Sequence, residues 1–352
     1  MRSGPLVGVR VLELEAIGPA PFAAMMLADM GADVLRVDRA EPGDLGLGVP
    51  RRFDTMLRGR RSLRLDLKRT EAGAALLDLA SRADVLIEGF RPGVMERLGL
   101  GPEVALARNP ALIYGRMTGW GQSGPLAAQA GHDIDYIALS GALHAMGRAG
   151  SAPPPPLNLV GDFGGGGLLL AFGIVCALNE RQRSGAGQVV DAAMVEGASL
   201  LTTMFSGLRA AGLWRDERGS NSLDSGAPWY DSYETADGGY VAVGALEGRF
   251  YAALLRGLEL DPAALPDRSE HARWPELRRV FASRFRQRSR DEWCRVFADS
   301  DACVAPVLTF AEAPRHAQAV ARQSFVSLDG IEQPAAAPRL SRTPGAAQEP
   351  PP

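Results

Sequence analysis

From Gly8 onward the apolar positions come in short runs separated by amphipathic stretches. Val9-Arg10-Val11-Leu12-Glu13-Leu14 predicts a strand, and Gly18, Pro19 and Pro21 mark the turn after it. Phe22 to Met30 predicts a helix, Gly31 a break, and Asp33 to Val37 a second strand. The next cycle is a helix from Thr70 to Arg82 and a strand from Asp84 to Ile87, with a further strand at Leu112 to Tyr114. Strands alternating with helices predict an α/β fold built on a doubly wound parallel sheet, with ligands gathered at the strand C-termini.

The pattern changes in the middle of the chain. Pro153 to Pro156 can only be extended. Gly161-Asp162-Phe163 and the run Gly164 to Gly167 open an apolar helix, whose longest apolar run, Leu168 to Leu178, is too short for a membrane span. Val195 to Leu213 has few turn signals and predicts one long helix crossing between domains. Tyr240 to Val243, after the turn Asp237-Gly238-Gly239, predicts a hairpin strand that begins a second, smaller domain. Helices from Phe250 to about Phe297 follow it. The last twenty residues hold six prolines and little apolar periodicity, which predicts a poorly ordered tail.

Composition narrows the class. The 352 residues carry 38 basic and 41 acidic side chains, a net charge of −3, without the basic field of a nucleic-acid binder. Cys176, Cys294 and Cys303 are scattered and form no C-x-x-C pair, which fits a reducing compartment and offers no zinc site. Arg2 leads into Gly-Pro and a strand rather than a signal peptide, so a cytoplasmic protein is expected. Lys68 is the only lysine, and imine chemistry would have to rest on it alone.

A βαβ start with Asp38 after the second strand invites a dinucleotide site. That site needs glycines in a G-x-G-x-x-G turn, whereas Glu15-Ala16-Ile17-Gly18-Pro19-Ala20-Pro21 has one glycine and two prolines that cannot donate an N–H. Cationic groups near strand ends are plentiful instead. Arg39 follows the second strand; Arg51, Arg52, Arg58, Arg60, Arg61 and Arg64 cluster before Lys68; Arg91 and Arg97 follow the third strand. A guanidinium fork suits phosphate oxygens, although a cluster of this kind also makes an ordinary solvated face.

Three residues are candidates for acid–base work. His132, in Ala130-Gly131-His132-Asp133-Ile134-Asp135-Tyr136, carries an imidazole, the natural general base among side chains, and Gly131 would let the backbone approach a ligand. Asp162 suits a helix N-cap, but a cap does not require Gly164 to Gly167, which would leave one wall bare for a flat ligand group. Glu247 follows the hairpin strand and also suits a surface cap.

These segments together resemble the α-methylacyl-CoA racemases of the family III CoA-transferase superfamily, from Leu6 to about Pro344. The likeness rests on Gly8 to Leu14, Leu27 to Val34, Ala83 to Val94, Gly119 to Pro125, Gly131-His132-Asp133 and Leu157 to Gly166. It implies a homodimer of interlocked subunits. Each subunit would have a large CoA-binding domain (residues 1–190, completed by 312–345), linker helices (191–224), a smaller α+β domain (225–311) and a disordered tail (346–352). It implies His132 and Asp162 as the two bases, Glu247 from the partner's small domain supporting the histidine, and Asp133 in the hydrogen-bond network of the base. It places CoA against Arg39, Leu65, Asp66, Leu67, Lys68, Gly89, Phe90, Arg91, Arg97, Gly131, Ile134, Asp135 and Tyr136. No separate cofactor is implied, since CoA enters as part of an acyl-CoA substrate.

Such a site would invert the carbon beside a thioester carbonyl, one base on each face, with backbone N–H groups near Asp162 stabilising the enolate oxygen. Two rival readings fit the same residues. One is a CoA-transferase in which Asp162 attacks the thioester and forms a mixed anhydride; the other is a non-catalytic CoA-binding dimer. Met25 and Met204 could offer an acyl surface or could be core.

Overall fold

The computed structural model describes residues 2–41 and 48–349. The chain divides into two units, Met1–Ala142 with Pro156–Thr203 and His316–Pro352, and Leu143–Pro155 with Met204–Arg315.

The first unit is built on six strands: β1 (Arg10–Leu14), β2 (Asp33–Arg39), β3 (Arg60–Leu65), β4 (Val85–Glu88), β5 (Ile113–Thr118) and β6 (Gln188–Ala193). All pair in parallel, in the order β3-β2-β1-β4-β5-β6. The chain winds outward in both directions from β1 and β4, so their C-terminal ends flank the switch point where such sheets bind ligands. Period-2 alternation sends residues to both covered faces. Val11, Val34, Val85, Ile87 and Ile113 pack on one side with Ala20, Leu27, Leu170 and Ile174. Leu12, Leu14, Leu86 and Tyr114 pack on the other with Leu76, Met95 and Leu100. The covering helices are α1 (Pro19–Asp29), α2 (Thr70–Ala80), α3 (Val94–Arg97), α4 (Pro102–Arg108) and α5 (Asp133–Leu139). After α6 (Ala142–Ala145) come a π-helix (Leu159–Leu168), α7 (Leu169–Ser184) and α8 (Met194–Leu201).

Strand β3 was concealed by its own sequence, Arg60-Arg61-Ser62-Leu63-Arg64-Leu65, which reads as a basic cluster. Arg60 is buried because its guanidinium meets the buried Glu13 at 2.5 Å, and Arg58 is buried against both carboxylate oxygens of Asp29. Within the predicted phosphate-binding cluster, then, these two arginines belong to the interior.

The long helix expected from Val195 to Leu213 breaks at Thr202 into α8 and α9 (Thr203–Ala210). The division into units falls close to that break, and within the first unit β6 pairs with β5 and α8 packs on the π-helix. By length and composition, Leu159–Ser184 would suffice to cross a membrane. One face of it is core all the same, with Leu170, Ala171, Ile174, Ala177 and Leu178 packed into the sheet.

The second unit contains β7 (Tyr230–Glu234), β8 (Tyr240–Gly244) and β9 (Val304–Pro306) in one antiparallel sheet. It carries α10 (Gly248–Gly257), α11 (Trp274–Phe285) and α12 (Arg290–Phe297) around an aromatic core of Trp229, Tyr233, Trp274, Phe281, Phe285, Trp293 and Phe297. Leu143–Pro155 joins this unit through Arg148, whose two terminal nitrogens hold Asp231 at 2.8 and 2.9 Å.

The chain returns to the first unit through α13 (Ala317–Ala321) and the hairpin β10 (Phe325–Leu328) and β11 (Ile331–Pro334). Arg58 ties it down by donating to Gln333 and the Pro334 carbonyl. Part of the expected loose tail is also held: the Ala346 amide donates to the Asp29 carbonyl at 2.8 Å, and the Gly59 amide to Glu349 at 3.1 Å. Residues 350–352 lie outside the described residues.

Candidate active site

The C-terminal ends of β1, β2, β4 and β5 open onto a cavity of about 1270 Å³ in the first unit. His132, at the N-terminus of α5, and Asp162, in the first turn of the π-helix, both line it. So do Arg39, Gly89, Phe90, Arg91, Gly131 and Tyr136 from the predicted set. Leu65, Asp66, Leu67, Lys68, Arg97, Ile134 and Asp135 do not. Lys68 is exposed just beyond β3, and its backbone amide donates to the Asp66 side chain. Glu247 belongs to the second unit, where it precedes α10 as an exposed N-cap residue.

Burial, reinforced by the nearby Asp133 carboxylate, pushes the Asp162 carboxyl above the ordinary aspartate range. Asn158, one helical turn earlier, donates to Asp162 Oδ2 at 3.1 Å, and it and the imidazole of His132 act in the opposite direction. Asn158 was not foreseen as a site residue; its spacing of four before Asp162 was the available signal. The first βα turn also comes to this carboxylate. A side chain at Gly18 would place its first carbon 3.2 Å from Asp162 Oδ2, and the Gly18 φ of 66° further favours glycine.

Asp133 is buried, and its Oδ2 accepts from the backbone amides of Gly161 at 2.6 Å and Asp162 at 2.7 Å. It therefore grips the π-helix rather than the imidazole. These two amides, among the backbone N–H groups near Asp162, are therefore already taken. In α5, the His132 amide donates to Asp135 at 2.9 Å, and its carbonyl accepts from Asp135 and Tyr136. The amides of Asp133 and Ile134 are unpaired among the described residues, as first-turn amides of a helix are.

Two glycine expectations are corrected. Gly131 lacks a side chain because the rings of Tyr136 and Trp120 occupy that space, 2.8 and 2.9 Å from where its first carbon would sit. Those rings meet edge to face at 4.7 Å, and the Tyr136 hydroxyl donates to the Gly131 carbonyl at 2.5 Å. Burial, with Asp162 and Asp135 adding to it, pushes the Tyr136 phenol up to about 12, so it remains a donor at neutral pH. The run Gly164 to Gly167 does not line this cavity. Gly165 sits against the backbone of Gly197 and Ala198, and Gly167 against Pro19 and Phe22. The glycines let the π-helix approach α8 and α1 rather than clearing a wall for a ligand.

At the far end of the cavity, Asp38 accepts from Arg36 Nε at 2.7 Å and Arg51 Nη1 at 2.8 Å. The carboxylate that a dinucleotide site would offer to a ribose is thus paired twice. Arg39, Arg64 and Arg91 line the cavity and make no ion pair among the described residues, leaving their forks for an anionic ligand. Arg91 is carried on a fixed loop: buried Glu88 accepts from the Phe90 amide at 2.8 Å and from Arg116 at 2.9 Å.

One cavity thus holds cationic forks and two acid–base groups. The sequence model of CoA-transferase family III matches residues 6–352. A Mus musculus protein named alpha-methylacyl-CoA racemase is 52% identical, over 96% of this chain and 87% of its own. The Homo sapiens protein of that name is 48% identical over 96% of this chain and 87% of its own. The crystal structure of a CAIB/BAIF family protein from Brucella suis superposes with a TM-score of 0.85 at 26% identity, covering 100% of this chain and 96% of that one. On the sequence match and the shared parallel-sheet architecture alike, the chain belongs to CoA-transferase family III.

Proposed function

We propose that this chain is an isomerase that inverts the α-methyl centre of 2-methylacyl-CoA thioesters by two-base proton transfer. The observation that carries it is the placement of His132 and Asp162 on one cavity, with Asp162 biased toward its protonated form. The identity to two proteins named alpha-methylacyl-CoA racemase supports the same reading. Neutral His132 takes the α-proton of the (S)-substrate, and the C–H electron pair moves onto the carbonyl oxygen as an enolate. Protonated Asp162 then delivers a proton to the opposite face, the carbonyl re-forms, and the configuration is inverted; the (R)-substrate uses the same groups in reverse. Each positioned group contributes roughly 10²–10⁴-fold. The unpaired first-turn amides of α5, beside His132, are the donors we assign to the enolate oxygen.

Arg39, Arg64 and Arg91 would hold the CoA phosphates, and no separate cofactor is needed. We further propose a cytoplasmic homodimer of interlocked subunits, in which the first unit binds CoA and Glu247 of the second supports His132. Exposed Leu139, Leu157, Leu168, Phe172 and Leu200 in the first unit favour a partner copy over solvent.

In the rival transferase reading, Asp162 must be an ionised nucleophile. That reading leaves His132, which lines the same cavity, without a role. A 2-methylacyl-CoA incubated with the enzyme in deuterated water tests the proposal. Exchange of the α-hydrogen with racemisation is expected; CoA passing to a free carboxylic acid without exchange overturns it.

A further inference from the structure

Glu247 is exposed and forms no hydrogen bond or ion pair through its carboxylate among the described residues, yet several groups of the backbone leading to it are held. The Gly244 amide donates to Cys303, the Ala245 amide to Trp229 and the Leu246 amide to Gly244, each at 2.9 Å. The Glu247 carbonyl accepts from the Tyr251 amide at 2.9 Å. The Leu246 carbonyl accepts from Arg268 Nη2 at 2.7 Å. Arg268 is itself held: its guanidinium carbon lies 4.2 Å from the Trp229 ring centre and 4.5 Å from that of Tyr251, and its own carbonyl accepts from Trp274 Nε1 at 2.8 Å. A guanidinium packed against two aromatic rings has reduced freedom, and a hydrogen bond from it restrains the peptide it touches.

An exposed carboxylate on an ordinary surface loop needs no such support. We propose that Arg268 is a positioning residue that acts through the Leu246 carbonyl to hold Glu247 in its working orientation. This rests on the assignment of Glu247 to the histidine side of the racemase site. Arg268 never meets the substrate; it restricts the loop from which Glu247 projects. Small misplacements of a catalytic group are costly to the chemical step while leaving substrate binding in place.

The test is a double-mutant comparison on the full-length protein, with α-hydrogen exchange of a 2-methylacyl-CoA and thermal unfolding as readouts. Arg268→Ala is expected to lower kcat roughly 10-fold with KM changed by less than about 2-fold. In a Glu247→Gln background the same substitution is expected to cost less than about 2-fold further, because the residue it served is gone. Arg268→Lys, which keeps a donor and a cation, is expected to recover part of the rate and serves if the alanine variant does not fold. An undiminished kcat in Arg268→Ala, or an equal loss in both backgrounds, overturns the proposal. Unchanged exchange in Glu247→Gln alone instead overturns the assignment on which it rests.

Discussion

Asp133, the first residue of α5, accepts the backbone amide of Asp162 at 2.7 Å. One buried carboxylate thereby joins the helix that presents His132 to the π-helix that presents Asp162. It fixes their spacing by backbone contact, and its charge helps raise the Asp162 carboxyl.

Charge and grip separate in Asp133→Asn. The asparagine oxygen can still accept both amides, but the negative charge is gone. The limb of the pH–rate profile belonging to Asp162 should move to lower pH, with the fold retained. Asp133→Ala should lose the grip as well and cost at least roughly 10-fold in kcat. The pH profiles of α-hydrogen exchange for both variants check this.

Asp162 should lower stability where it is ionised. Its folded-state pKa is raised, so the folded chain binds the proton more tightly than the unfolded one. Stability then falls as pH rises from the unfolded aspartate value of about 3.9 through the raised folded value, and stays lower above it. Asp162→Asn should raise the melting temperature at pH 8, make little difference near pH 3, and lower exchange by roughly 10²–10⁴-fold. Melting curves at the two pH values decide the matter.

The glycine run makes a packing prediction. Gly165→Ala would place a methyl 2.6 Å from the Ala198 nitrogen and should destabilise by about 1–3 kcal/mol. Gly164→Ala meets its nearest neighbour at 3.1 Å and should cost less. Denaturant unfolding ranks the pair, and equal costs would contradict helix packing as the reason for the run.

Phosphate binding should depend on the arginines that line the cavity. Loss of a charged hydrogen bond costs about 1.5–3 kcal/mol, so Arg91→Ala should raise KM for acyl-CoA roughly 10-fold or more. Lys68 is exposed and does not line the cavity, so Lys68→Arg should leave KM unchanged. Steady-state kinetics on both variants test the contrast.

Local pattern was enough to place the strands from Val9, Asp33, Asp84 and Leu112, because apolar runs bounded by turn residues carry that information themselves. It also singled out His132 as a candidate by its imidazole and Asp162 by the glycine run behind it. What it could not supply was the identity of partners distant in the chain. Arg60 reads as a phosphate ligand until β3 sets it beside Glu13 in the interior. Asp133 reads as part of the imidazole's network until the fold brings Gly161 and Asp162 to its carboxylate. Gly165 reads as a bare wall until Gly197 arrives against it. Sequence determined which groups could ionise, donate or leave space. Tertiary structure decided which of them were spent on one another and which were left for a ligand, because a buried polar group takes whichever partner the fold brings within reach.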